Sequence, residues 1–149
     1  MNRPIPPEED IRALAGHRFA GGERLIEHWE NFLLTDCTGA ELLPDGMVHP
    51  VALFHVPIQG AGTSIADMFA LGQAESDLSI MIESYDWEMP ETLKENTPYQ
   101  VSGSILSAQR LHNDEGRPYD RIQFCFEMHE GKTLAARTTI TWHYTRNTL

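Results

Sequence analysis

The last third of the chain alternates. Between residues 120 and 129, Ile122, Phe124, Phe126 and Met128 fall on every second position, and between 133 and 146 Ala136, Thr138, Ile140, Trp142 and Tyr144 do the same. Successive side chains of a strand point to opposite faces, so an apolar set of period two is one face of a sheet. Glu130-Gly131 joins the two runs as a tight hairpin turn. Asn113-Asp114-Glu115-Gly116 is a second turn signal, and the run before it, 99–111, puts Tyr99, Val101, Gly103 and Ile105 together. A further run, 78–88, places Ile80 and Ile82 on one face and Met81, Tyr85 and Trp87 on the other, and Pro90 to Pro98 reads as a loop. Four strands in succession leave little choice but an antiparallel sheet.

The first half must cover that sheet. Pro7 followed by Glu8, Glu9 and Asp10 favours a short helix over 7–15, stopped by Gly16, and Gly21-Gly22 breaks the chain again. In 24–35, Ile26, His28, Glu30, Phe32 and Leu34 share a period-two face, which predicts a strand. Asp36 to Gly46 reads as a loop. The longest apolar stretch, Val48 to Gln73, is divided by Pro50 and Pro57; from there Ile65, Met68, Phe69 and Gly72 fall at helical spacing and predict a central helix over 58–72. Short helix, strand, loop, long helix and four strands make an α+β architecture in which an antiparallel sheet wraps one long central helix. At 149 residues, the chain is expected to form one domain over 1–149, with 1–22 as an N-terminal extension carrying the short helix.

Charge narrows the partners. The chain carries 22 acidic and 11 basic residues, a balance opposed to nucleic-acid binding, which needs a basic stripe. The imbalance is uneven: residues 1–109 hold 17 acids and 5 bases, residues 110–149 hold 5 acids and 6 bases. An anionic ligand is therefore expected at the C-terminal strands, unless these charges form only a mixed solvated face. No run approaches the roughly 18 apolar residues of a membrane span, and no secretory signal opens the chain. Cys37 and Cys125 form no CxxC, and a cytoplasmic, reducing location is expected. The seven histidines show no ligand spacing, so no metal site is expected.

In their order, three stretches resemble the hotdog fold and, within it, the MaoC-like acyl-thioester hydratases and dehydratases. They are Gly46-Met47-Val48-His49-Pro50 before the helix, Tyr85-Asp86-Trp87 with Pro90 and Tyr99-Gln100-Val101-Ser102-Gly103, and the closing hairpin from Gly131-Lys132-Thr133 to Trp142–Arg146. The resemblance implies an enoyl-CoA or 3-hydroxyacyl-CoA substrate, no separate cofactor, and a homodimer or a heterodimer with another hotdog chain. Catalytic members carry Asp-x-Asn-Pro-x-His after the first strand. Here the loop reads Asp36-Cys37-Thr38-Gly39-Ala40-Glu41, without Asn-Pro and with Glu41 in the place of histidine. That departure resembles the non-catalytic half of two-part members, which shapes the acyl pocket beside a catalytic half. A hotdog thioesterase is the third reading.

Hydration of an enoyl thioester needs a base for water, an acid for the α-carbon and N–H donors on the thioester oxygen. His49 is the first acid/base candidate, partnered by Asp36 with Asp45 in reserve, and His55 flanks the same helix entry. A histidine before proline can equally be a cap, and Asp36 a turn or cap residue. Gly60, Ala61 and Gly62 are candidate oxyanion donors, or else simply allow close packing. Arg110, Arg121 and Arg137 are the candidates for CoA phosphates. Trp87, Tyr99, Phe124, Phe126 and Trp142 either line an acyl tunnel or form the core. Cys37 has no neighbour that would activate it and is expected to behave as a small buried residue.

Overall fold

Three acids fill the first turn of helix α1 (Glu8–Arg12), where unpaired N–H groups favour negative charge. Strand β1 (Gly22–Arg24), helix α2 (His28–Cys37), 3-10 turns at Pro44–Gly46 and Pro50–Phe54, helices α3 (Val56–Gly60) and α4 (Ile65–Leu71), and a 3-10 turn at Asp77–Ser79 follow. Strands β2 (Ile80–Glu88), β3 (Tyr99–His112), β4 (Pro118–Glu130) and β5 (Thr133–Thr145) close the chain. This computed structural model describes residues 4–147; residues 1–3 and 148–149, the outer ends of the expected domain, lie outside the described residues. Every strand pair is antiparallel, in the order β1-β3-β4-β5-β2, so among the described residues β2 is an edge with only β5 beside it.

The expected faces of β3, β4 and β5 are the core. Tyr99, Val101 and Ile105, then Ile122, Phe124, Phe126 and Met128, then Ala136, Thr138, Ile140, Trp142 and Tyr144 are all buried. In β2 the expectation needs correcting. A bulge between Ile82 and Ser84 inserts Glu83, so Ile80, Ile82, Tyr85 and Trp87 lie opposite Tyr144, Trp142, Ile140 and Thr138 on one face. Only Met81 of the group, opposite His143, points the other way. One extra residue moves every later side chain to the opposite face.

Residues 24–35 are not a strand. β1 ends at Arg24, and α2 occupies 28–37 with Asn31 and Thr35, one turn apart, as its buried face. Trp29, Phe32 and Leu33 are exposed, so this helix hides polar groups and shows apolar ones. The buried pair is fully used. Asn31 Nδ2 donates to the Met47 carbonyl (3.0 Å) and Glu95 Oε1 (2.8 Å), while its Oδ1 accepts the His49 N–H (3.2 Å).

The helical layer inside the sheet is also divided. Pro57 opens α3, and α3 ends at Gly60 with a turn through Gly62, whose φ of +79° favours glycine. Ser64 then caps α4, its hydroxyl accepting the Asp67 N–H at 3.1 Å. α4 is tied to the sheet by the Tyr144 hydroxyl, which donates to the Met68 carbonyl at 2.6 Å. The expected N-terminal extension runs along the sheet: Gly16 and Phe19 N–H groups donate to the Ile105 and Gly103 carbonyls at 2.8 and 2.9 Å.

Segments near both ends of the described residues, at Pro6 and Arg146, meet at one carboxylate. Asp120, fully buried, accepts two bonds from Arg110, each 2.9 Å, and one from Arg146 Nε at 2.8 Å. Arg110 also donates to the Pro6 carbonyl at 2.8 Å, and Arg146 to the carbonyls of Gly72 and Gln73 just after α4. Removing the carboxylate leaves one buried guanidinium, Arg146, and one largely buried, Arg110, without their counter-charge. Asp120→Ala should therefore cost about 3–5 kcal/mol in urea unfolding at neutral pH; a loss under about 1 kcal/mol would show that the carbonyls alone hold the two arginines.

Candidate functional site

Helix residues Phe54, Ile65 and Phe69 face strand residues Ile80, Ile82, Tyr85 and Trp142 across an apolar groove of about 190 Å³ at the free edge of β2. Phe54 stacks on Tyr85 with ring centres 5.0 Å apart, Phe69 lies 5.2 Å from Trp142, and Trp142 Nε1 donates to the Tyr85 hydroxyl at 3.2 Å. Asp77 is the one carboxylate lining the groove. Of the aromatics expected at an acyl tunnel, Trp142 lines this groove; Tyr99, Phe124 and Phe126 are core, and Trp87 is exposed.

The expected acid–base loop does not assemble. His49 caps the 3-10 turn at Pro50–Phe54, its Nδ1 accepting the Val51 N–H at 3.0 Å. That bond occupies the Nδ1 lone pair, so His49 serves as the cap of this turn. Asp36 is exposed at the end of α2, beside Phe32, Thr35 and Glu41 and away from either histidine's hydrogen bonds. Asp45 sits exposed at φ +58° in the Pro44–Gly46 turn, as a turn residue. Cys37 is exposed rather than buried, while Cys125 is buried and its thiol pKa is pushed up by that burial.

The oxyanion expectation fails on hydrogen bonds. Ala61 and Gly62 lie past the C-terminal end of α3, and their N–H groups already donate to the Pro57 and Gln59 carbonyls, both at 3.0 Å. Gly60 serves packing: a Cβ there would come within 2.6 Å of Val101 Cγ2 and 3.0 Å of Arg24 Cβ. The three phosphate candidates are committed as well. Arg110 holds Asp120, Arg121 holds both Glu83 oxygens (2.9 and 2.8 Å), and Arg137 holds Glu88 at 2.7 Å. The Arg121 and His143 bonds hold the Glu83 carboxyl at a pKa of about 2.

His55 is the expected residue left with chemistry. It stands at the break between the 3-10 turn and α3, half-buried, with no capping bond. One turn along the same face, Gln59 Oε1 accepts from Arg24 Nη2 (3.1 Å), which also donates to Glu30 Oε2 (2.7 Å). The other oxygen, Glu30 Oε1, is buried without a partner. Reading 24–35 as a strand hid this carboxylate; the i, i+4 spacing of His55 and Gln59 was the signal available. Burial lowers the His55 pKa; the Glu30 charge opposes the shift and Arg24 adds to it. Among the described residues, no three His, Cys, Asp or Glu side chains stand close enough to hold a metal, and no helix is long and apolar enough to cross a membrane.

The likeness to solved structures lies in the fold. The ChsH1–ChsH2 complex from Mycobacterium tuberculosis superposes with a TM-score of 0.68 at 8% identity, over 95% of this chain and 90% of that one. The monoamine oxidase regulatory protein from Archaeoglobus fulgidus gives 0.62 at 10% identity over 99% of both chains. A protein from Pseudomonas putida assigned as a thioesterase gives 0.54 at 11%, over 89% of this chain and 73% of that one. No family model matches the chain, and no curated protein matches its sequence. The class is nonetheless defined by the five-stranded sheet and the helical layer it wraps: the chain has the hotdog fold.

A histidine with a lowered folded pKa binds fewer protons folded than unfolded, so stability falls as pH drops below the ordinary value of about 6.5 and levels off below the folded value. The chain should lose stability between about pH 7 and pH 5.5, and His55→Phe should remove part of that loss. Urea midpoints of both proteins at the two pH values check this; parallel falls would show that His55 does not carry it.

Proposed function

We propose that this chain binds an acyl thioester as a hotdog subunit of the hydratase/dehydratase type, and that a second hotdog chain completes its active site. The groove at the edge of β2 carries the reading. Apart from Asp77 its lining is apolar and aromatic, as an acyl chain requires, and it opens where, among the described residues, the sheet has no neighbour. Ile82 is 61% exposed and Met81 57%, on a strand whose outer backbone groups lack partners in the sheet. An added strand would pair that edge and roof the groove. The resemblance to MaoC-like proteins supports a thioester, and the likeness in fold to a two-chain complex supports a partner.

The lone pair spent by His49 and the missing Asn-Pro-x-His favour a silent half over a self-sufficient enzyme. One observation supports a second reading, an autonomous hydratase: burial lowers the His55 pKa within reach of the Glu30 charge, and one Glu30 oxygen is buried without a partner. Such a pair would activate water without the loop.

Enoyl-CoAs of short, medium and bulky chain, mixed with the purified chain, should quench Trp142 fluorescence without loss of the conjugated thioester absorbance or release of thiol. Ile82→Glu should weaken that binding at least tenfold, the effect of placing a charge on about one side chain's worth of apolar contact. Turnover abolished by His55→Ala would establish the autonomous hydratase, thiol release would establish a thioesterase, and absence of binding across the panel would remove the acyl-thioester reading.

A further inference from the structure

Helix α2 is held with its polar side inward. Asn31 bonds the Met47 carbonyl, Glu95 and the His49 N–H, and the Thr35 hydroxyl, one turn on, donates to the Asn31 carbonyl at 2.7 Å. Rolling the helix over would strand these groups without partners. Its opposite face is therefore fixed outward, and that face is apolar. Trp29 is 59% exposed, Leu33 53% and Phe32 48%. They stand at i, i+3 and i+4, the stripe that one helix lays against another. Leu42 and Leu43, in the loop after α2, are exposed as well, and Phe32 and Leu42 line one groove of about 270 Å³. Single exposed apolar residues are ordinary on a protein surface; a helical stripe of three large ones beside a groove marks a contact surface.

The rim of this face is negative. Asp36 and Glu41 line the same groove, and Glu27 stands at the start of the helix, its carboxylate accepting the Trp29 Nε1–H. Between Arg24 and Lys94 the sequence holds no lysine or arginine. Arg24 is paired with Glu30 and His28 with Glu95, while Lys94 lines a separate cavity with Glu91 and Glu130. Among the described residues no ion pair reaches Glu27, Asp36 or Glu41. A two-fold pairing of this face with a second copy would set carboxylate against carboxylate with no base between them. We infer that the outer face of α2 is the docking surface for a basic amphipathic helix of another protein. The partner's apolar residues would lie on Trp29, Phe32 and Leu33, and its lysines or arginines on Asp36 and Glu41. The groove beside α2 shares no residue with the groove at β2, so the inference stands apart from the acyl-thioester reading.

The test is a fluorescence-anisotropy titration of the full chain against a labelled model helix of leucine and lysine, with the leucines in one stripe. One control peptide scrambles the same residues so that no stripe forms, and another replaces lysine by glutamate. The striped basic helix should bind at least about tenfold more tightly than either control, and weaken with salt. Asp36→Lys with Glu41→Lys, and separately Phe32→Ser with Leu33→Ser, should each weaken it about tenfold. All four side chains are exposed, so the urea midpoints of both variants should match that of the parent chain. Asp114→Lys with Glu115→Lys makes the same charge change at the β3–β4 turn and should leave binding unchanged. Equal binding of either control peptide, binding indifferent to both α2 variants, or no binding of the striped helix would each overturn the inference. A dimer in sedimentation that Leu33→Asp splits would assign the face to a second copy, and binding to phosphatidylcholine vesicles lost in the Phe32→Ser, Leu33→Ser variant would assign it to a lipid surface. Either result would overturn the inference as well.

Discussion

Asp120 is the one carboxylate on which separate parts of this fold converge. Through Arg110 it fixes β3 and the Pro6 carbonyl, and through Arg146 it fixes the end of β5 and the carbonyls that close α4. Helix ends leave carbonyls without partners, and here a buried guanidinium supplies the donors. The arrangement has a consequence for packing. Gly72 must lie against the Tyr144 ring, where a Cβ would overlap ring carbons, and the Tyr144 hydroxyl reaches Met68 one turn earlier. The seat of the helical layer on the sheet is thus set by polar bonds at the end of α4 as well as by apolar burial along it.

What was legible in the sequence follows from how residues meet water. β3, β4 and β5 bury one face and show the other, so their period of two is clean and their turns fall at Gly116 and Gly131. α2 could not be read that way. Its buried positions are Asn31 and Thr35, and its apolar residues Trp29, Phe32 and Leu33 face outward, so hydropathy carries the wrong sign for a helix covering a core. The period-two pattern from Ile26 to Leu34 arose because alternate residues of a helix with little amphipathic contrast can imitate a strand. At Glu83 the failure was smaller: no residue type marks the bulge, yet it turns Tyr85 and Trp87 onto the face that forms the apolar groove.

The candidate site was legible by residue type and not by role. His49 stands before Pro50 and caps it, because a ring nitrogen two residues before an orphan N–H is well placed to accept from it. His55 stands before Val56-Pro57 and has no such duty. The two histidines have the same spacing from a helix entry, and only the geometry of each turn separates a spent lone pair from a free one. Glu30 escaped notice for a different reason: its meaning depends on Arg24 and Gln59, which come from β1 and α3.

Anion recognition on an acidic chain is decided locally, by how many guanidiniums share each carboxylate. Arg121 has Glu83 to itself, and Arg137 is drawn to both Glu88 and Glu127, so neither leaves positive charge to spare. Among the described ion pairs, Asp120 is the one carboxylate shared by two arginines. The C-terminal strands were expected to attract an anion because they hold six bases to five acids, and there Arg110, Arg121 and Arg137 are paired with Asp120, Glu83 and Glu88. A guanidinium matched to its own carboxylate contributes mainly to stability, and little of its charge reaches an anion in solution. The two arginines that meet at Asp120 therefore spend their charge on closing the fold, one at the Pro6 carbonyl and the other at the carbonyls that end α4.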